Sequence, residues 1–304
     1  MSVSISIQGL EKSYQTKQKT VKALQKTNLD IQAGELYGLI GPDGAGKTTL
    51  FRLLTTLLLP DSGTATVEGL DIIRDYNEIR HIFGYMPGRF SLYQDLSVEE
   101  NLDFFATIFQ TSKEENFHLI RDIYVQLEPF RDRRAGKLSG GMKQKLALCC
   151  ALIHRPKVLF LDEPTTGVDA VSRREFWAML KNLQKHEITI LVSTPYMDEA
   201  NLCDKISLIQ EGRIMASNSP RQIIEGFPKS IYGVYTRDKY LTLHVLQDLA
   251  ITDKIYPFGE SLHWILKTDQ APSVPTQLQN IIQRIEKIEP DIEDVFIDYM
   301  RNGK

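Results

Sequence analysis

Gly41-Pro42-Asp43-Gly44-Ala45-Gly46-Lys47-Thr48 fits the pattern G-x-x-x-x-G-K-[ST] without a gap. Its context decides what it means. Residues 35–40 are a short apolar run that reads as a buried strand. Residues 47–58 read as a helix with Leu50, Leu53, Leu54, Leu57 and Leu58 on one face, stopped by Pro60. Strand, glycine loop and helix together make a phosphate cradle. The glycines let the backbone wrap a phosphate chain, and the loop N–H groups and the helix dipole point at it. Lys47 supplies a point charge for the outer phosphates, the Thr48 hydroxyl is the expected Mg²⁺ ligand, and Thr49 continues the same turn.

The chain has 304 residues, a length for about two domains. Hydrophobic content of 42% and charged content of 25% are those of a globular protein, which excludes disorder and a membrane fold. No apolar run approaches the ~18 residues of a spanning helix, and the N-terminus lacks a signal-peptide pattern. Cys149, Cys150 and Cys203 form no metal-spaced set, so a reduced, cytosolic protein is expected. A net charge of -3 argues against a broad nucleic-acid surface.

Residues 4–10 alternate as a strand, and Tyr14 beyond them could stack on a purine, although an isolated tyrosine at a strand end is more often plain surface. Residues 24–31 form a second strand, and 64–67 a third, which suggests a mixed sheet beside a parallel core. Residues 85–156 turn helical. Ser97-x-x-Glu100 is a capping box, another helix spans about 113–127, and the block reads as a helical insertion. Ser139 in Leu138-Ser139-Gly140-Gly141 sits where a helix cap would sit, making a second anion-binding helix N-terminus or a simple cap. Residues 158–161 are a fully apolar strand delivering Asp162 and Glu163, one carboxylate for Mg²⁺ and the next for orienting a water. Thr166-Gly167-Val168-Asp169 turns into another helix, and 189–193 is a further apolar strand.

In this order the chain resembles an ATP-binding-cassette (ABC) transporter ATPase over roughly residues 3–226, close to the ATP-binding subunits of drug and polysaccharide exporters. The matching pieces are the P-loop 41–48, the signature L-S-G-G-M-K-Q at 138–144, the Walker B stretch V-L-F-L-D-E-P at 158–164 and the T-G-V-D loop at 166–169. The resemblance implies an α/β P-loop NTPase fold. It has a RecA-like core, an antiparallel β subdomain and an inserted helical subdomain at about 85–156. It implies ATP and Mg²⁺ as ligands, and a dimer in which the P-loop of one cassette and the signature of the other enclose ATP. Transferred by position, Tyr14 stacks on adenine, and Gly41, Pro42, Asp43, Gly44, Ala45, Gly46, Lys47, Thr48 and Thr49 bind nucleotide. Thr48 and Asp162 hold Mg²⁺, Glu163 is the catalytic base, Ser139, Gly140 and Gly141 act on the partner's nucleotide, and Asp169 communicates across the dimer.

Two positions depart from the family. Gly88 stands where Gln usually contacts Mg²⁺ and the attacking water, and Pro195 where His usually contacts the γ-phosphate. Arg89 and Gln94 are candidates for the lost glutamine's role, and nothing in the sequence assigns it to either. Losing such a contact costs ~10²-fold in rate. The expectation is intact ATP binding with slow hydrolysis.

Residues 227–304 extend past the cassette. Strands near 230–236, 254–258, 262–267 and 285–289, with helices near 239–249, 276–283 and 292–300, are compatible with a small ferredoxin-like α+β domain. With no convergent polar site, it reads as a dimer-stabilising appendage. Its ending, Pro290-Asp291-Ile292-Glu293-Asp294-Val295-Phe296, and Tyr196-Met197-Asp198-Glu199-Ala200 resemble the export branch.

The leading expectation is therefore an exporter ATPase subunit, peripheral on the inner face of the cell membrane. It would drive a permease on a separate chain, as a homodimer or a heterodimer with a second cassette, with no nucleic acid bound. The rivals are a regulatory cassette with little or no hydrolysis in a heterodimer, and a soluble cassette acting on ribosomes or DNA.

Overall fold

The computed structural model describes residues 2–16, 19–89, 91–268 and 272–302. Its contacts divide the chain into two units, the first built on Met1–Pro220 and the second on Arg221–Arg301.

The first unit is organised by a six-stranded sheet. Its strands are β3 (Leu36–Ile40), β6 (Phe83–Met86), β7 (Val158–Asp162), β8 (Thr189–Thr194), β9 (Lys205–Gln210) and β10 (Arg213–Asn218), in the order β10-β9-β3-β8-β7-β6. All neighbours run parallel except the edge pair β9 and β10. Every residue of β3, β7 and β8 is buried, because parallel strands covered on both faces must be apolar throughout. A second, antiparallel sheet has the order β2-β1-β4-β5, with β1 Val3–Gln15, β2 Thr20–Gln32, β4 Ser62–Val67 and β5 Leu70–Asp71. Helix α1 (Lys47–Leu54) lies between the two sheets. Its Leu50 and Phe51 share one core cluster with Ile5, Ile7 and Val67 of the antiparallel sheet and Leu39 and Phe160 of the parallel one.

Helix α2 (Tyr76–Ile82) leads into β6, and α3 (Val98–Ile108), α4 (Phe117–Tyr124) and α5 (Gly140–Leu152) make the helical block. The capping box at the start of α3 is complete: Glu100 N–H donates to Ser97 Oγ at 3.1 Å and Ser97 N–H to Glu100 Oε2 at 2.7 Å. Helix α6 (Ala170–Gln184) follows β7.

Several elements differ from the sequence reading. α1 stops at Leu54 rather than near Pro60: the Thr55 hydroxyl bonds back to Phe51 O at 2.7 Å, and Thr56 turns the chain at a φ of 59°. Leu57 is consequently exposed rather than buried. β1 and β2 are longer than the alternation implies, because register shifts along the hairpin interrupt the period of two. α4 is shorter than 113–127, since Asn116 spends its amide on Ile153 O at 2.9 Å and fixes the helix start there.

The second unit carries helix α7 (Pro220–Glu225) at its start. Its sheet, β12-β13-β11-β14, is antiparallel throughout. The strands are β11 (Ile231–Thr236), β12 (Thr252–Phe258), β13 (Ser261–Leu266) and β14 (Ile282–Ile288), with α8 (Lys239–Gln247) between β11 and β12 and α9 (Ile292–Asn302) last. This is the strand order of a split β-α-β arrangement. The helix expected over 276–283 is instead a single 3₁₀ turn, Thr276–Leu278. Ile282 and Ile285 are β-branched and pair with Thr236 and Val234, so the sheet edge takes the segment. Helix α9 is pinned through Asp294, which accepts from Tyr256 Oη at 2.5 Å and from His263 Nδ1 at 2.7 Å, and through Asp298, which meets Lys254 Nζ at 2.8 Å.

Candidate functional site

The site forms where β3, β7 and β8 end. β3 leaves the sheet at Ile40 and the loop 41–46 carries the chain into α1. Two of the loop glycines are demanded by close packing, while Gly44 has open space around it and a φ of 78°. A Cβ on Gly41 would stand 2.2 Å from Ile209 O, and one on Gly46, whose φ is 109°, 2.3 Å from Ala23 O. Lys47 is 3% exposed. Its ammonium donates to Gly41 O at 2.7 Å and Pro42 O at 3.0 Å, and stands 3.0 Å from Glu163 Oε1. Two of its donors are thus held by carbonyls of the loop, and the ammonium also faces the Glu163 carboxylate.

β7 delivers two carboxylates with different surroundings. Asp162 is 2% exposed and accepts from Ser193 Oγ at 2.6 Å. Glu163 sits just past the strand at a φ of 52°, a left-handed conformation that side chains other than glycine rarely take. That turn points the carboxylate at Lys47, and Thr166 Oγ1 approaches its other oxygen at 3.5 Å. Tyr85 on β6 is partly buried, and its phenol is pushed up to about 12 by burial and then by the Asp162 charge.

The structure brings together Lys47, Glu163 and, one residue away, Asp162. Tyr14 meets the helix that follows the loop: its hydroxyl lies 3.4 Å from Thr49 Oγ1 on the first turn of α1. Thr48 is half-buried on that same turn, next to Lys47. Pro42, Asp43, Gly44 and Ala45 complete the loop, with Asp43 and Gly44 exposed.

The signature residues lie elsewhere. Ser139 caps α5, accepting from Met142 N–H at 3.3 Å. Ser139 and Gly140 are exposed. Gly141 is buried against α6, where a Cβ would meet Ser172 Oγ at 2.6 Å. Asp169 caps α6 through Val171 N–H at 3.1 Å and Ser172 N–H at 3.0 Å, and the Ser172 bond holds its carboxyl below the usual range. Among the described residues, no hydrogen bond joins Ser139–Gly141 to the phosphate loop.

The two departures sit at the carboxylates. A Cβ on Gly88 would stand 3.1 Å from Asp162 O, so the position is nearly in backbone contact with Walker B. Arg89 and Gln94 are exposed, and Gln94 O accepts from Gly136 N–H at 2.9 Å. Pro195 follows Thr194, whose hydroxyl accepts from Tyr196 N–H at 3.0 Å. Thr194 and Thr165 both donate to the buried Glu199, the latter at 2.8 Å, which ties the end of β8 to the loop after Walker B.

Sequence reading missed Ser193 and Glu199. The signal for Ser193 was a hydroxyl closing an apolar strand beside a carboxylate-bearing one. For Glu199 there was none, because a buried glutamate is recognised only by its partners.

The family model described as ABC transporter matches residues 24–166. The chain is 39% identical over 303 residues to the probable multidrug ABC transporter ATP-binding protein YbhF of Escherichia coli, covering 97% of this chain and 52% of that one. It thus spans about half the length of that relative. It is 33% identical over 302 residues to the Nod factor export ATP-binding protein I of Mesorhizobium japonicum, covering 97% of this chain and 86% of that one. Among solved structures, cbiO1 of Clostridium perfringens, part of the ABC transporter complex cbiONQ, superposes with a TM-score of 0.65 at 27% identity. That match covers 74% of this chain and 92% of that one. With the phosphate loop, the paired carboxylates and the capped signature helix in place, the chain belongs to the ABC transporter family and carries its ATP-binding domain.

Proposed function

We propose that this chain binds ATP with Mg²⁺ and hydrolyses it slowly, as a dimer, to energise export through a separate membrane permease. The observation that carries the reading is the convergence of Lys47, Glu163 and Asp162 at one end of the parallel sheet. Lys47 and the loop amides bind the phosphates. Thr48 and Asp162 offer hard oxygen donors on facing elements, a set that fits Mg²⁺ and not a soft metal. The ion would neutralise charge on the phosphate oxygens. Glu163 accepts a proton from the attacking water, and Lys47 steadies the charge that develops on the phosphate.

Dimer formation is supported by the exposure of Ser139 and Gly140 away from the chain's own phosphate loop. A helix N-terminus left open this way suits an anion brought by a second cassette. Asp169, capping the adjacent α6, couples the two. Residues 3–226 are the cassette and 227–304 the accessory domain.

Permease docking is supported by a cleft of about 270 Å³ lined by Leu57, Phe83, Tyr85, Phe105, Phe109 and His154, between the parallel sheet and the helical block. Among the described residues no helix is long and apolar enough to cross a membrane, and the proposal assigns the export path to a separate permease. In this proposal the subunit sits on the inner membrane face against that permease. The export direction is supported by the Nod factor and multidrug relatives.

A second reading, a regulatory cassette that binds ATP and barely hydrolyses it, is favoured by Gly88 and Pro195 together. The test is steady-state ATPase of the purified chain with Mg²⁺ beside Glu163→Gln, with ATP binding measured on both. Slow turnover lost in the variant supports the first reading. Binding without turnover in either protein supports the second.

A further inference from the structure

We infer that Ser193 is a positioning residue of the ATPase site, holding the metal-binding carboxylate and the catalytic glutamate in register through one hydroxyl. The inference rests on the reading of Asp162 and Glu163 given above.

β8 runs Thr189, Ile190, Leu191, Val192, Ser193, Thr194, and Ser193 is directly opposite Asp162 in the parallel pairing of β7 and β8. Ser193 is completely buried. A hydroxyl there is costly unless both its donor and its acceptor are used. Both are. Oγ donates to Asp162 Oδ1 at 2.6 Å, a charge-assisted bond, and accepts from Glu163 N–H at 3.0 Å. The Glu163 N–H also lies 3.1 Å from the Ser193 carbonyl, so the residue after the strand is held twice by Ser193.

These bonds act on two things. The first fixes the rotamer of Asp162, leaving its other oxygen for a cation. The second fixes the peptide that precedes the left-handed turn at Glu163, where φ is 52°. A strained backbone angle of this kind persists only where its surroundings hold it. That angle sets where the Glu163 carboxylate points, 3.0 Å from Lys47. The hydroxyl thus gains importance in this chain. Pro195, two residues on, offers neither a polar side chain nor an N–H, and Gly88 offers no side chain at all. Ser193 is the polar group from β8 that reaches both carboxylate residues.

The test uses the full chain with Ser193→Ala and Ser193→Thr, Mn²⁺ as the metal probe and a fluorescent ATP analogue. Ser193→Ala should bind nucleotide in EDTA as wild type does. It should hold Mn²⁺ in the nucleotide complex ~10-fold more weakly and turn over ~10- to 100-fold more slowly at unchanged KM. Ser193→Thr, which keeps the hydroxyl, should restore both. Wild-type Mn²⁺ affinity in Ser193→Ala would overturn the inference, as would an equal loss of metal-free nucleotide binding, which marks a merely structural role. If the wild type does not hydrolyse ATP, the ATPase reading fails while the Mn²⁺ affinities still decide the role of Ser193. Absence of any Mn²⁺ site in the wild type overturns both.

Discussion

Lys47 Nζ stands 3.0 Å from Glu163 Oε1, so the cation of the phosphate loop and the carboxylate after β7 form one ion pair. Lys47 also holds two loop carbonyls, and removing its charged partner leaves those bonds in place. Glu163→Gln should therefore retain ATP binding while turnover falls ~10²- to 10⁴-fold, the usual contribution of a general base. Parallel ATPase and equilibrium-binding assays check this. Undiminished turnover would remove Glu163 from the chemistry.

Pro195→His should raise turnover roughly tenfold, by supplying one charge-assisted hydrogen bond to the phosphate. The loop can accept the change because Tyr196 N–H, not residue 195, makes the turn's bond to Thr194. Gly88→Gln alone should give less, since its Cβ would press on Asp162 O at 3.1 Å. Unchanged turnover in Pro195→His, with ATP still bound, would mean that the missing histidine is not what slows this site.

His154 faces the apolar cleft, stacked on Phe109 with centroids 3.8 Å apart, and its Nε2 lies 2.9 Å from Phe83 O. A carbonyl only accepts, so Nε2 carries the proton. Burial lowers the imidazole pKa to about 4. The unfolded chain takes up this proton near pH 6.5, and the folded one resists until about pH 4. Stability is therefore lost as pH falls through that window, by up to about 3 kcal/mol. Thermal melts across it should show the wild type losing stability relative to His154→Phe as the pH falls. Parallel melts would show that His154 is not the group responsible.

Asp294→Ala should destabilise the second unit by ~1–3 kcal/mol, because it leaves the Tyr256 and His263 donors without their shared acceptor. Burial pushes the Asp294 carboxyl up, but bonds from His263, the Asp291 N–H and Tyr256 outweigh it and hold the group ionised below the usual range. Limited proteolysis should then cut after residue 221 while ATP affinity is unchanged. A protease-resistant variant would show that α9 is held by its apolar face alone.

What was legible in the sequence divides by the range of the forces involved. The phosphate loop, the apolar strands β3 and β7 and the capping box at Ser97 are local devices, and each could be read from neighbouring residues. α1 ends early because of a side-chain bond from Thr55 and a positive φ at Thr56, which helical periodicity does not reveal. Residues 276–283 looked helical alone, and became a turn and a strand because β11 offered Ile282 and Ile285 partners. Ser193 and Glu199 act through pairings 31 and 34 residues away, so their roles emerged only with the sheet.

The separation of Lys47 from Ser139 on one chain has a genetic consequence. In a homodimer each nucleotide would be enclosed by Lys47 of one copy and Ser139 of the other. A copy disabled at Lys47 and a copy disabled at Ser139 would each be inert alone. Co-expressed, they would pair into a dimer with one doubly broken pocket and one pocket wholly intact. Two loss-of-function alleles of the same gene would then complement each other, whereas two alleles altered within the phosphate loop would not.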